Sequence, residues 1–308
     1  MRFYNTKLDF PDDFFAPEVR CGYEVSEKNK KVWAILLDLV VELERVCKKY
    51  NITMYADAGT LLGTVRHQGF IPWDDDIDIA LKRKDYEKLC KVASKEFKHP
   101  YFFQTAYTDD HCFRGHAQLR NTETTGIVFL DHGMPYNKGI FIDIFPLDKV
   151  PDSKIERKIM RFRAQVIWLF LSTSYYNPNN MRPYAKIICN IMKPFYKIVD
   201  YRKVYRHYEK VCSRYNKKHT KKMAWYAWRQ CLEADFLKVK DYDGQIERMP
   251  FEFIDLPVPK GYDSVLKDLY QDYMTPVQAP PVGHGIMITE PEIPYYKYEK
   301  NEGNKLKN

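Results

Sequence analysis

The stretch that decides the fold is GTLLGTVRHQGFIPWDDDIDIALKRKDYEKL, residues 59–89. At its centre Asp74, Asp75, Asp76 and Asp78 place four carboxylates in five positions. Apolar groups crowd them, Phe70-Ile71-Pro72-Trp73 on one side and Ile77, Ile79, Ala80 and Leu81 on the other. Acidic runs usually belong to solvated loops, so charge held between groups that bury needs a physical reason. DIDIAL alternates polar and apolar, the signature of a half-buried strand. On a strand, side chains two apart share a face, so Asp76 and Asp78 point one way while Ile77 and Ile79 point to the core. Their Cα atoms then lie about 6.6 Å apart. Two carboxylates so close and partly buried are unfavourable without a counter-charge, and hard divalent cations supply one. Asp76 and Asp78 thus read as a metal-binding D-x-D, with Asp74 and Asp75 holding metal-bound waters or capping the loop.

Working outward, ITMYADAG reads as a strand ending at Gly59, and TLLGTVRH as a short helix after it. Gly59-Thr60 closes the strand and opens the helix, offering bare N–H groups and a hydroxyl at a helix N-terminus, a place to hold phosphate oxygens. Arg66 and His67 lie on that helix and are candidates for contacting phosphate charge, with a structural hydrogen bond the other role open to His67. KRKDYEKLCKVASKEF is predicted helical, and YFFQTA, HAQLRNT and GIFIDIFPL are predicted strands. Asp143 is the one charged residue between Ile140 and Leu147. A lone buried carboxylate is costly unless paired or on a metal, which makes Asp143 a candidate third ligand, or the base that takes a proton from an attacking hydroxyl. Upstream, Ser26 is the expected N-cap of a helix over 27–49, whose apolar positions Val32, Trp33, Leu36, Leu37, Val40, Leu43 and Cys47 recur every three or four residues. The expected fold is an α/β (α+β) core over 1–150 with a mixed sheet, followed from the turn at Pro151-Asp152-Ser153 by a mainly helical region over 151–308. The final NEGNKLKN reads as a disordered tail.

The chain-wide numbers agree with an ordered globular protein. It has 308 residues, 45% hydrophobic and 15% aromatic, enough for a sizeable core. The N-terminus lacks an apolar run followed by a small-residue cleavage site. No apolar run approaches the ~20 residues of a membrane span. The seven cysteines are scattered without a C-x-x-C pair, against a disulfide framework or a zinc site. These features point to a cytoplasmic protein. Charge divides the chain. From Ser153 to Gln230 there are 19 Lys and Arg against three acids, a balance of +16, while the whole chain carries only +8. The same stretch is aromatic, as in RFRAQVIWLFLSTSYY and KPFYKIVDYRKVYRHYEK. It reads either as a helical region with solvated basic faces or as a surface for something polyanionic, a phospholipid leaflet at the membrane's inner face or an acidic glycan-lipid. No nucleic-acid fold signature accompanies the charge.

AGTLLGTVRHQGFIPWDDDIDIALKRKDYEKL resembles the hallmark block of the LicD family, which includes phosphocholine transferases and is related to fukutin-type proteins. IDIFPLDKVP resembles the family's next block, and FEFIDLPVPKGYDSVLKDLYQDYMTP, around residues 251–276, its C-terminal one. In that last block the family usually has Tyr-Gly-Asp-Tyr, whereas Gln271 stands here in place of the Gly, which bears on the local turn. The resemblance implies a nucleotidyltransferase-like fold in which a Gly-Thr turn, a D-x-D strand and a third acid form one site. These map onto Gly59 and Thr60, Asp76 and Asp78, and Asp143. It further implies transfer of phosphocholine, or a related phospho-alcohol, from a CDP-linked donor to a sugar hydroxyl of a cell-surface glycan, assisted by Mg²⁺ or Mn²⁺. A sugar-nucleotide glycosyltransferase also uses a D-x-D, but normally after a longer run of βα units. A nucleotidyltransferase that releases pyrophosphate, and a non-catalytic glycan-assembly protein that kept the fold, are the other readings.

Overall fold

A computed structural model describes residues 3–110, 112–128, 131–175, 186–187, 190–191, 199–229, 236–244, 246–278 and 287–305. Parts of the basic stretch, residues 176–185, 188–189, 192–198 and 230, and the last three of the tail, lie outside the described residues.

The capping signal at Ser26 is realised. Helix α1, Glu27–Lys49, starts with a capping box in which Ser26 accepts from the Asn29 amide and Asn29 accepts from the Ser26 amide. Trp33, Leu36, Leu37, Val40 and Leu43 are buried, as the three-four spacing requires. So are Asp38 and Glu42; the Asp38 carboxylate accepts from the Lys7 and Leu8 amides and the Tyr101 hydroxyl, tying the N-terminal segment to the helix.

The sheet is mixed, and its spine is a long strand. Two short strands, Glu18–Arg20 (β1) and Tyr23–Val25 (β2), form a separate hairpin. The chain then supplies Tyr55–Ala56 (β3), helix Ala58–His67 (α2), Asp78–Lys82 (β4) and helix Arg83–Glu96 (α3). Tyr101–Gln104 (β5), Ala117–Asn121 (β6) and Thr125–Val128 (β7) precede the spine, Ile140–Val150 (β8). β8 runs parallel to β4 along one edge. On its other edge it pairs antiparallel with β6, and at its far end with Lys222–Ala224 (β9). β3, β5 and Leu237–Lys238 (β10) pair antiparallel with β4, β6 and β9. β8 has partners on both edges, and its run of apolar residues is buried on both faces, where packed layers cover the sheet.

The second half of the chain supplies helices Lys154–Tyr175 (α4), Tyr201–Cys212 (α5), Tyr226–Arg229 (α6), Tyr262–Tyr270 (α7) and Tyr295–Lys305 (α8). It also supplies β9 and β10, a hairpin of Ile246–Phe251 (β11) and Ile254–Pro259 (β12), and Met287–Glu290 (β13) on β7. It is therefore less purely helical than the sequence suggested: β9, β10 and β13, of two to four residues, are too short to show a period, and prolines interrupt the six-residue β11 and β12. α8 extends to Lys305, into the stretch read as a disordered tail. Two apolar clusters result. The larger gathers α1, the sheet and residues from the far C-terminal part, Phe251, Leu256, Val258, Val265 and Leu266. The smaller gathers Met160, Ala164 and Leu171 of α4 with Tyr205, Tyr208 and Cys212 of α5. Among the described residues, no helix is long and apolar enough to cross a membrane.

Candidate active site

The strand that carries the acids starts at Asp78, so Asp76 lies on the approach to β4 rather than within its ladder. The alternation nevertheless extends to it. Ile77 and Ile79 are fully buried, while Asp76 and Asp78 are half-buried. The parallel register places Asp78 directly opposite Asp143 of β8, and the Asp143 amide donates to the Ile77 carbonyl at 2.9 Å. Neighbouring strands lie about 4.8 Å apart. Two carboxylates separated by 65 positions in the chain thus stand side by side on the sheet.

The Gly59-Thr60 turn is built onto the same edge. The Asp57 amide donates to the Asp78 carbonyl at 3.0 Å, and α2 begins one residue later. Thr60 is buried, and its hydroxyl oxygen accepts from the Asp78 amide at 2.8 Å. This bond straps the first turn of α2 to the first residue of β4 and leaves the hydroxyl proton as Thr60's remaining donor. A Cβ added to Gly59 would come within 2.9 Å of Asp74 Oδ2. The glycine leaves room for the Asp74 carboxylate to lie against the helix N-terminus, where an anion is favoured. The Asp74 carbonyl in turn accepts from Trp33 Nε1 at 2.9 Å, and Trp33 stacks on Phe70 with ring centroids 4.6 Å apart. Glu252 completes the support. It accepts from the Phe70 amide and forms a two-pronged pair with Arg20. The apolar groups around the aspartates are thus the walls of a fixed loop.

Asp143 is buried, and its Oδ1 accepts from Gln118 Nε2 at 2.7 Å and lies 2.9 Å from His116 Nε2. Both come from β6, where His116 leads into the strand and Gln118 shares its face. Behind Gln118, Arg120 donates to Gln118 Oε1, to Gln104 Oε1 and to the Gly139 carbonyl. The orientation of Asp143 is therefore fixed by a buried polar chain. A further acid, Asp57, is fully buried. Burial lifts its carboxyl to about 6, against the opposing effect of hydrogen bonds from Trp225 Nε1, the Ala58 amide and the Tyr242 hydroxyl. Tyr270 of α7 is 39% exposed. Its phenol is nonetheless held above its ordinary pKa, by desolvation first and then by the charges of Asp78, Asp57, Asp74 and Asp76.

Residues 51–191 match the family described as LicD/FKTN/FKRP, nucleotidyltransferase domain. The match covers a little under half of the chain, the part that holds α2, β4 and β8. The chain is similar to the lipopolysaccharide cholinephosphotransferase LicD of Haemophilus influenzae, 30% identical over 145 residues that make up 45% of this chain and 51% of that protein. It is also similar to an uncharacterized protein of Rickettsia prowazekii, 34% identical over 117 residues, 38% of this chain and 40% of that one. A third relative, an uncharacterized protein of Rickettsia typhi, is 43% identical over 89 residues, 29% of this chain and 26% of that one. The chain spans about half or less of the length of these curated relatives. Gly59, Thr60, Arg66, His67, Asp76, Asp78 and Asp143 all fall inside the LicD match, whereas Trp225, Tyr242 and Tyr270 fall outside it. The family's domain is closed over by chain that the match does not include.

The helix end that carries Arg66 and His67 faces a different neighbourhood. Arg66 Nη1 donates to the Tyr273 carbonyl at 2.8 Å and reaches the Thr275 carbonyl at 3.4 Å, so it clamps the segment that follows α7 onto α2. Burial, reinforced by the charges of Arg66 and Arg20, pushes His67 down to about 4. His67 is a neutral imidazole at pH 7 and offers hydrogen bonding rather than charge.

Among the described residues, no three His, Cys, Asp or Glu side chains converge as a ready-made metal cage. Mg²⁺ asks for less, one or two carboxylates with waters and substrate phosphates completing its shell. Asp78 and Asp143, side by side on the sheet, fit that requirement, and Asp76 is the next carboxylate along the chain. Asp57, His116, Gln118 and Tyr270 were missed by sequence reading. Asp57 did carry a signal, a lone acid among the buried residues of ITMYADAG, the same feature that singled out Asp143. His116 and Gln118 carried only the alternation of HAQLRNT, which fixes a face but not a partner.

Proposed function

We propose that this chain is a phosphotransferase that moves phosphocholine, or a related phospho-alcohol, from a CDP-linked donor to a sugar hydroxyl of a cell-surface glycan. The observation that carries this reading is the in-register pairing of Asp78 with Asp143 beside the Gly59-Thr60 turn. The Haemophilus influenzae relative, a lipopolysaccharide cholinephosphotransferase, supports the choice of group transferred. In this reading Asp78 and Asp143, with Asp76, hold a divalent cation, Mg²⁺ or Mn²⁺. When bound, that ion would screen the donor's diphosphate and polarise the phosphorus under attack. The Gly59 amide and the Thr60 hydroxyl proton orient a phosphate oxygen at the N-terminus of α2. Asp143, held by His116 and Gln118, takes the proton from the acceptor hydroxyl as its oxygen bonds to the phosphorus that carries the alcohol. The bond from that phosphorus to the bridging oxygen breaks, and CMP leaves with the electron pair. Arg66, committed to the C-terminal block, positions α2 in this scheme.

Incubating the purified chain separately with CDP-choline, CDP-ribitol and UDP-sugars, with and without Mg²⁺ or Mn²⁺ and with a glycan acceptor present, tests the reading. The expected result is CMP release from a CDP-alcohol only when the metal is added. Release of UDP from a UDP-sugar instead would make the chain a glycosyltransferase.

A further inference from the structure

Helix α4 is apolar on two opposite faces. One face is accounted for: Met160, Ala164 and Leu171 are buried in the smaller cluster against α5. The other is not buried. Ile155, Ile159, Phe162 and Val166 are 72%, 50%, 68% and 53% exposed. At 3.6 residues per turn these four fall within an arc of about 60° and along about 17 Å of helix axis, facing away from the buried trio. Leu169, 47% exposed, continues the line. Single exposed apolar residues are ordinary on a protein surface; a row of large ones on one helix marks a contact surface.

The shoulders of the row are basic. Lys154 and Lys158 lie on one side and Arg163 on the other, all exposed, and Arg161 is half-buried beyond Lys154. The one acid on the helix is Glu156. The helix is also held in place before any partner arrives. Arg157 donates to the Pro151 and Asp152 carbonyls and lies over the Phe236 ring. A preformed apolar row with cationic shoulders is the form of a helix that lies in a membrane interface.

We propose that this face of α4 docks on an anionic phospholipid surface, with Ile155, Ile159, Phe162 and Val166 at the acyl boundary and Lys154, Lys158 and Arg163 against lipid phosphates. Charge favours this occupant over a second copy of the chain, because two copies joined by this face would bring their cations together. The proposal rests on the surface of α4 and is independent of the reaction proposed above.

The test is co-sedimentation of the full chain with vesicles of phosphatidylcholine alone and of equal parts phosphatidylcholine and phosphatidylglycerol, at low and high salt. The expected result is binding to the mixed vesicles, weakened by salt and by omission of phosphatidylglycerol. Phe162→Asp should lower the affinity roughly tenfold or more, since it removes a large apolar side chain from the contact. Lys158→Glu with Arg163→Glu should erase the preference for the anionic vesicles. All three sites are exposed, so matched thermal melts are expected for the variants. Absence of binding to the mixed vesicles at low salt would overturn the proposal, as would Phe162→Asp binding as well as the unsubstituted chain. So would self-association that Phe162→Asp abolishes, without vesicle binding.

Discussion

Asp143 and Asp148 stand five residues apart on β8, both buried, and the chain treats them differently. Asp148 meets the guanidinium of Arg83 on two prongs, at 2.9 and 2.5 Å, and also accepts from Asn216. Asp143 accepts from an amide, Gln118, lies against the imidazole of His116, and stands opposite a second carboxylate, Asp78. An ion pair fixes where a strand sits; a carboxylate oriented by an amide beside another carboxylate is arranged to receive charge. The same contrast runs along α2. Its N-terminus meets Asp74 and Asp78, while its C-terminus is occupied by Arg66 binding the C-terminal block.

The contrast breaks if substitutions at the two ends have the same consequences. The largest expected effect is on turnover. Asp78→Ala should lower kcat by about 10³-fold or more, with a melting temperature near that of the unsubstituted chain. Asp148→Ala should do the reverse to stability, costing about 3 kcal/mol because it removes the two-pronged partner of buried Arg83 and leaves it only Glu209, at 3.6 Å, as a counter-charge; thermal denaturation reads it directly. His116→Ala should weaken the apparent Mn²⁺ affinity roughly 10–100-fold, as loss of a partner that orients a ligand does, while His116→Gln retains much of it. A metal titration followed by CMP release checks both.

Smaller effects sharpen the picture of the clamped end. His67 is pushed down to about 4 by burial, and its unfolded value is near 6.5. The unfolded chain therefore binds the extra proton between those values, so stability is full above about pH 6.5 and falls as the pH drops toward 4. Discounted for its partial exposure, the loss should be roughly 2 kcal/mol, and denaturant titrations of His67→Gln should lack it. Gln271 adopts φ +56°, the left-handed region that favours glycine. It occupies the position where the LicD block usually has Gly, so the departure seen in the sequence coincides with local backbone strain. Gln271→Gly should raise stability by about 1 kcal/mol, measured by the same denaturant titration.

Much of this was legible before the structure. α1 was bounded correctly because a capping residue and a three-four period coincided; β8 was read from its apolar run over 139–147, and the structure carries the strand on to Val150. The D-x-D and Asp143 stood out because charge among buried neighbours is costly. What sequence could not supply was pairing over distance. Asp57 is bonded by Trp225, 168 positions away, and the charges of the acids act on Tyr270 of α7. Periodicity also assigns faces without saying which are covered. α1 buries its apolar residues, whereas α4 buries one apolar face and exposes the other.

The central claim is that Asp143 serves the chemistry while Asp148 serves the fold. Its most direct test is CMP release from CDP-choline by the unsubstituted chain and by Asp143→Asn, each with Mn²⁺ and with the metal chelated. Asn keeps the size of the side chain and an oxygen to accept from Gln118, so the variant should melt close to the unsubstituted chain. The account predicts release only by the unsubstituted chain with metal present. Equal release by Asp143→Asn, or release by the chelated protein, would contradict it.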